Sequence, residues 1–383
     1  MDLLLKTATI VCDPMSSKTS VQYGLVNLVV KTLKGFDRIR IVSPFIPANR
    51  IESLEKIANA GVWSVSKKKR FLNFIYRILE GNESMLWSFS WLMEATYGAN
   101  SSLYDRNIHK QEENVIINIS YTMPLKCKML WNQASPPADT LVQMGKANPF
   151  AKVIVKLFGS IIKKLDEKIQ KRHFAQSEIF VHNSEYLKET YRKLNYPSGQ
   201  VIYVPREFPL SPLAQELPLR DYVLAYIGKE TEIDTLMEMA RRGVKIISFG
   251  AKIPFGTPMS KIKQTMDFRG YVTDEELGKL YSNALFTAFP FTDEPFGWVP
   301  LESMFYGTPV LSYSKQGPAE TILNGSTGWL VGSSREFIDK AVELWNSGNT
   351  GVTRSACRKR AEHFSFSKTE EQLDRILMGY PDA

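Results

Sequence analysis

Short apolar segments rich in Val, Ile, Leu and Phe, each followed by a stretch with helical spacing, recur in two separate series along this sequence. The first series contains "TATIVC", "RIRIVSPF", "NVIINIS" and "KCKMLW"; the second contains "YVLAYIG", "VKIISFG", "LFTAFPF", "TPVLSY" and "TGWLVG". Near-continuous apolar runs of this length are strands buried on both faces, which requires a parallel sheet with helices above and below. Between the series lies "VPREFPLSPLAQELPLR", with four prolines from Pro205 to Pro218, which reads as an interdomain linker. A chain of 383 residues also exceeds one ordinary core. The expected fold class is therefore α/β, with two doubly wound Rossmann-like domains facing a central cleft. The expected boundaries are 1–205 for the first domain, 206–220 for the linker, 221–365 for the second domain, and 366–383 for a terminal helix that can cross back.

Composition narrows the class without naming a function. Hydrophobic residues at 44% and charged residues at 23% suit a soluble globular protein. No stretch reaches the roughly 18–20 uncharged apolar residues of a membrane helix. The start "MDLLLKTATIVCD" reads as a first strand rather than a signal peptide, so a cytoplasmic protein is expected. Cys12, Cys127 and Cys357 are too widely spaced for a disulfide framework, and His109, His173, His182 and His363 have no metal-ligand spacing. The net charge of +8 favours polyanionic partners: nucleic acid, an anionic membrane surface, or phosphorylated small molecules.

The chemistry concentrates in "EPFGWVPLESM", from Glu294 to Met304. It follows the strand-like "LFTAFPF", and ligands of open parallel sheets bind outside the C-terminal strand ends. Gly297 and Pro300 bracket a helix start, since proline is tolerated in a first turn, and Gly307 closes that helix. Glu294 then lies on the loop and Glu302 about one turn into the helix. Between them the amides near Gly297, Trp298 and Val299 form an anion site. A diphosphate at those amides leaves its sugar by Glu294 and its ribose by Glu302. Taken alone, acids near a helix N-terminus are common because they favour the dipole. Further helix starts are marked by capping boxes at Thr273–Glu276, Ser333–Glu336 and Ser367–Glu370.

Together, "FPFTDEPFGWVPLESMFYGTPVLSY", "GPAETI", "GSTGWLV", "AYIGK", "FRGYVTDEELGKLYSNA" and "SEIFVHNSEYLKETYRK" resemble the signature of retaining GT-B glycosyltransferases, glycosyltransferase family four. The resemblance covers residues 175–335 clearly and the first half in outline. It implies a GT-B fold with an acceptor-binding first domain and a nucleotide-sugar-binding second domain. It further implies that Glu294 contacts donor-sugar hydroxyls and Glu302 holds the ribose, with backbone from Phe296 to Val299 touching sugar and phosphate. Gly228 and Lys229 match the loop where a cation neutralises the diphosphate leaving group. Backbone at Tyr271 and Val272 matches the base site. Two departures stand out. The usual second cation is missing after Lys229, leaving Lys252, Lys261 or Arg269 as substitutes. The first-domain histidine common in the family has no counterpart in "MLWNQASPPAD", where Asn132 and Gln133 are the polar residues.

The sequence contains no D-x-D, which argues against the metal-dependent glycosyltransferase fold, so no metal and no cofactor are expected. The reading is transfer of a hexose from a nucleotide diphosphate sugar to a glycan or lipid-linked acceptor, with no nucleic acid as partner. The alternatives are a nucleotide-sugar epimerase or phosphorylase on the same scaffold, or a non-enzymatic sugar or nucleic-acid binder. Carboxylates would repel a phosphate backbone, which disfavours the last. Near the start, "SSKTS" lacks the glycines of a phosphate loop and reads as a polar strand–helix turn, with Ser17 and Lys18 facing the acceptor side.

Two basic amphipathic segments complete the picture. "SVSKKKRFLNFIYRIL" sets Lys67 to Arg70 before a stripe of Phe71, Phe74, Ile75 and Ile78. "AKVIVKLFGSIIKKLDEKIQKRHF" aligns Ile154, Phe158, Ile161, Ile162, Leu165 and Ile169. Each stripe reads first as a face packed on its own sheet. The second use is peripheral docking on an anionic membrane, on its inner face.

Overall fold

In a computed structural model, residues 6–378 are described except 19, 60, 105–113, 148, 206–220, 251–256 and 349–350. The proline-rich stretch 206–220 and Lys252 thus lie outside the described residues. The first sheet is built from β1 (Thr7–Val11), β2 (Arg38–Ser43), β3 (Val62–Ser64), β4 (Asn114–Asn118), β5 (Cys127–Asn132), β6 (Ser177–His182) and β7 (Gln200–Val201). The second contains β8 (Val223–Tyr226), β9 (Ile246–Phe249), β10 (Asp267–Phe268), β11 (Thr287–Phe289), β12 (Val310–Tyr313) and β13 (Gly328–Val331). Strand order is β3-β2-β1-β4-β5-β6-β7 in one and β10-β9-β8-β11-β12-β13 in the other. The strand pairings are parallel throughout. Both sheets therefore follow the doubly wound order, in which chain direction reverses beside the first strand.

Every apolar run named above forms a strand, because each fills a two-sided core. Ile10, Ile41, Ile117, Met129 and Val181 are fully buried in the first domain, and Val223, Ala225, Phe289 and Val310 in the second. The very short β3 and β7 carry no such run. The terminal helix Phe366–Met378 crosses back: Leu373 and Leu377 pack into the first domain's core, and Thr369 Oγ1 donates to Tyr203 O at 3.0 Å. Caps form as expected at Thr273 and Ser333, whose hydroxyls accept from Glu276 N at 3.3 Å and Glu336 N at 3.2 Å. Ser367 instead lies within the helix that starts at Phe366 and does not cap it.

The first amphipathic stripe differs from its expected packing. Phe71, Phe74 and Ile78 are 76%, 60% and 66% exposed. The helix Arg70–Leu79 packs through Leu72 and Tyr76 instead, against Phe45 and Leu86. On the long helix Pro149–Ala175, Ile169 is buried and Ile162 and Leu165 pack beside Trp91, but Phe158 and Ile161 face solvent.

Candidate active site

In the second sheet the order reverses between β8 and β11. Gly228, Lys229 and Glu230 follow β8, Asp293 and Glu294 follow β11, and Gln316 and Gly317 follow β12, so all three loops meet at one crevice. Thr292 N and Oγ1 donate to Glu230 O at 2.8 and 3.1 Å, which joins the first two loops. Gly317 N donates to Glu294 O at 3.1 Å, which joins the second and third. A Cβ at Gly317 would sit 2.2 Å from Phe296 Cα, so this position needs glycine for the backbones to approach.

Glu294 is half-buried. Its Oε1 accepts from Phe296 N at 3.2 Å and Gly297 N at 3.0 Å. Burial, then the charge of Glu230, push its carboxyl up to about 8, against the pull of those two amides. Two amides of the expected anion site thus serve Glu294 itself, because the left-handed Gly297 (φ 93°) turns the loop back under its own carboxylate. Gly297 opens the helix Trp298–Phe305, on which Glu302 is half-buried and accepts from Tyr281 Oη at 3.1 Å. The far end of this helix is held by Arg354, which donates to Tyr306 O at 3.1 Å and Ser282 O at 2.6 Å. Trp298 packs against the cores of both domains, and Val299 against that of the second.

Lys229 is exposed beside this loop. Burial raises the Asp293 carboxyl, while hydrogen bonds from Thr140 and Gln316 and the Lys229 charge oppose the rise. Gly228 N is anchored by Thr231 Oγ1 at 2.8 Å. Tyr271 projects into solvent after β10, whereas Val272 is buried against Tyr222, Leu224 and Tyr281. Of the substitute cations, Arg269 pairs with Asp267 at 2.8 Å and Lys261 lies 4.0 Å from Asp234.

The first domain presents its own strand ends. Ser17 N and Oγ donate to Glu80 O at 2.9 and 3.2 Å, while Lys18 is exposed. Gln133 N donates to Tyr121 Oη at 2.8 Å. Asn132 is buried, and its Nδ2 lies 3.4 Å from His182 Nδ1, its register partner on β6. The structure thus brings a histidine beside Asn132 from the neighbouring strand, a pairing set by strand register that "MLWNQASPPAD" alone does not show. Burial lowers the pKa of His182 to about 4, and its Nε2 has no hydrogen-bond partner among the described residues. Equally hidden in the sequence was buried Asp13, whose Oδ1 accepts from Ser120 Oγ at 2.5 Å and Thr122 Oγ1 at 2.9 Å. It fixes the loops after β1 and β4; only the "CD" ending the first apolar run hinted at it.

The two domains touch at the site. Ser184 Oγ donates to Pro295 O at 2.7 Å. Glu320 accepts from Glu185 N at 2.9 Å and Tyr186 N at 2.5 Å, capping the first-domain helix Glu185–Lys193 from the second domain.

Residues 260–364 match the family Glycosyl transferases group 1. An alpha-1,3/1,6-mannosyltransferase of Neurospora crassa is 37% identical over 101 residues, 24% of this chain and 20% of that protein. A D-inositol 3-phosphate glycosyltransferase of Mycobacteroides abscessus is 28% identical over 172 residues, 40% of this chain and 38% of that protein. The chain thus spans well under half the length of these curated relatives. Among solved structures, Anabaena HepE in complex with UDP-glucose superposes with a TM-score of 0.60 at 15% identity, covering 97% of this chain and all of that one. The shared architecture is the GT-B fold.

Proposed function

From the match of residues 260–364 to the family Glycosyl transferases group 1, we propose that this chain moves a hexose from a nucleotide diphosphate sugar to a glycan or lipid-linked acceptor. One observation carries the reading: Glu294 and Glu302 stand on either side of a helix N-terminus at the switch point of the second sheet. In this reading Glu294 receives hydroxyls of the sugar and Glu302 those of the ribose. The helix start takes the diphosphate, with Lys229 beside it, and the base lies along Tyr271 and Val272. As the glycosidic bond breaks, negative charge grows on the diphosphate and positive charge on the sugar. Lys229 and the helix dipole stabilise the first, and the carboxylate of Glu294 the second. These groups supply the charge without a metal. Attack on the face the leaving group vacates retains configuration, and the acceptor arrives from the strand ends bearing Ser17, Lys18, Asn132 and Gln133. The nucleotide sugar bound by Anabaena HepE, a protein of the same fold, supports this class of donor.

A screen of nucleotide sugars by thermal shift, followed by an assay of hydrolysis or transfer, tests the proposal. A bound donor raises the melting temperature by mass action. At least one nucleotide sugar is expected to stabilise the protein and to be consumed; no shift and no turnover across the common donors would contradict it.

Peripheral docking on an anionic membrane is the second part of the proposal. Phe71, Phe74 and Ile78 are exposed on one helix directly after Lys67, Lys68, Lys69 and Arg70, all four also exposed. Such a face can insert apolar side chains while its cations meet anionic headgroups. No helix among the described residues is long and apolar enough to cross a membrane. Sedimentation with vesicles of anionic lipid is expected to pull the protein down at low salt and release it at high salt. Phe71→Asp with Phe74→Asp should abolish binding; equal binding to neutral vesicles would contradict the assignment.

A further inference from the structure

Gln316 is one of two non-glycine residues with positive φ among the described residues, at 54°. The other, Asn195, is of a type that visits this region readily, whereas a glutamine there costs on the order of 1 kcal/mol. Such a conformation persists only where the surroundings over-determine it. Here they do so through the side chain. Oε1 accepts from Glu294 N at 2.6 Å, and Nε2 donates to Asp293 Oδ1 and to Tyr186 Oη, each at 3.1 Å.

Those three bonds join different parts of the machine. Glu294 and Asp293 belong to the loop after β11, Gln316 to the loop after β12, and Tyr186 to the first-domain helix Glu185–Lys193. A single amide therefore grips the backbone of Glu294 on one side and the opposite domain on the other. We propose that Gln316 is a positioning residue that couples apposition of the two domains to the placement of the Glu294 carboxylate. Separation of the domains breaks the bond to Tyr186 and leaves one N–H of the amide without its partner. The remaining two bonds then hold a strained backbone alone, and the loop after β11 loosens. Closure restores the third bond and fixes Glu294. The neighbouring cross-domain bonds, Ser184 to Pro295 and Glu320 to the amides of Glu185 and Tyr186, set the distance at which the glutamine reaches. Nothing in "SKQGPAE" signals this role, since both the φ and the three partners arise only in the fold.

This inference rests on the role proposed for Glu294. Two variants separate positioning from folding. Gln316→Gly adopts φ 54° without strain, so the fold is kept while all three side-chain bonds go. Tyr186→Phe removes the interdomain bond and leaves the other two. Gln316→Gly is expected to lower kcat about tenfold or more, with KM for the donor within about threefold, since misplacement of a reacting group acts on turnover. Tyr186→Phe should lower kcat in the same direction, and the double variant should be no worse than Gln316→Gly, because both remove one coupled unit. Amide exchange across residues 293–297 should quicken in both. Unchanged kcat, a loss confined to KM, or effects that multiply would overturn the proposal. A wild-type protein that turns over no nucleotide sugar would instead sink the functional reading, and unaltered exchange at 293–297 in Gln316→Gly would then sink the bridge independently.

Discussion

Glu294→Gln is expected to lower kcat by about 10²–10³, the usual range for removing one preorganised charge from a transition state. Glutamine keeps an oxygen for the amides of Phe296 and Gly297, so the loop should hold its shape while the charge disappears. The pH arm of the same prediction follows from the cause of the shift. Burial and Glu230 raise the Glu294 carboxyl to about 8, so the acid limb of kcat/KM should lie near that pH. Glu230→Gln removes a like charge and should move the limb toward lower pH. Stability runs the other way. A carboxyl raised in the folded state stabilises fully below its unfolded pKa, and that contribution is lost as pH rises through about 8. Glu294→Gln should therefore melt above wild type at pH 9 and close to it at pH 4. A variant with wild-type turnover, or with no pH-dependent gain in melting temperature, contradicts the role assigned to this residue.

Lys229→Ala should lower kcat about 10²-fold, again the scale for one electrostatic contact to a leaving group. The lysine is exposed and lies on a loop whose position is fixed by the Gly228 and Thr292 hydrogen bonds rather than by its own side chain. Melting temperature should accordingly stay within a few degrees of wild type. Glu230 and Asp293 both push the Glu294 carboxyl up, and the Lys229 charge lowers that of Asp293. Steady-state kinetics with saturating donor decide the matter: full turnover in Lys229→Ala would mean that another group meets the diphosphate.

The fold was legible because parallel strands buried on both faces write themselves as apolar runs, and here nine such runs became strands of two doubly wound sheets. What failed were the faces of surface helices. The stripe Phe71–Ile78 has the spacing of a packed helix, yet packing used the neighbouring Leu72 and Tyr76, because periodicity identifies a face without saying what meets it. At the site, the placement of Glu294 and Glu302 around a helix start was readable from Gly297, Pro300 and the preceding strand. The inward turn of Glu294 onto its own amides was not, since it depends on the dihedral angles of Gly297. Contacts between distant segments were also invisible. His182 meets Asn132 only through parallel register, and Gln316 meets Tyr186 only once two domains have come together.

The central claim is that the donor spans the crevice from Glu294 to Glu302, with its ribose at the latter. Calorimetric titration of wild type and Glu302→Ala, with the nucleotide sugar found by the screen, tests it directly. A charged hydrogen bond to a ribose hydroxyl contributes about 1.5–3 kcal/mol, so the variant should bind about tenfold or more weakly, for the sugar nucleotide and for the bare nucleotide alike. Equal affinities in the two proteins would contradict the account.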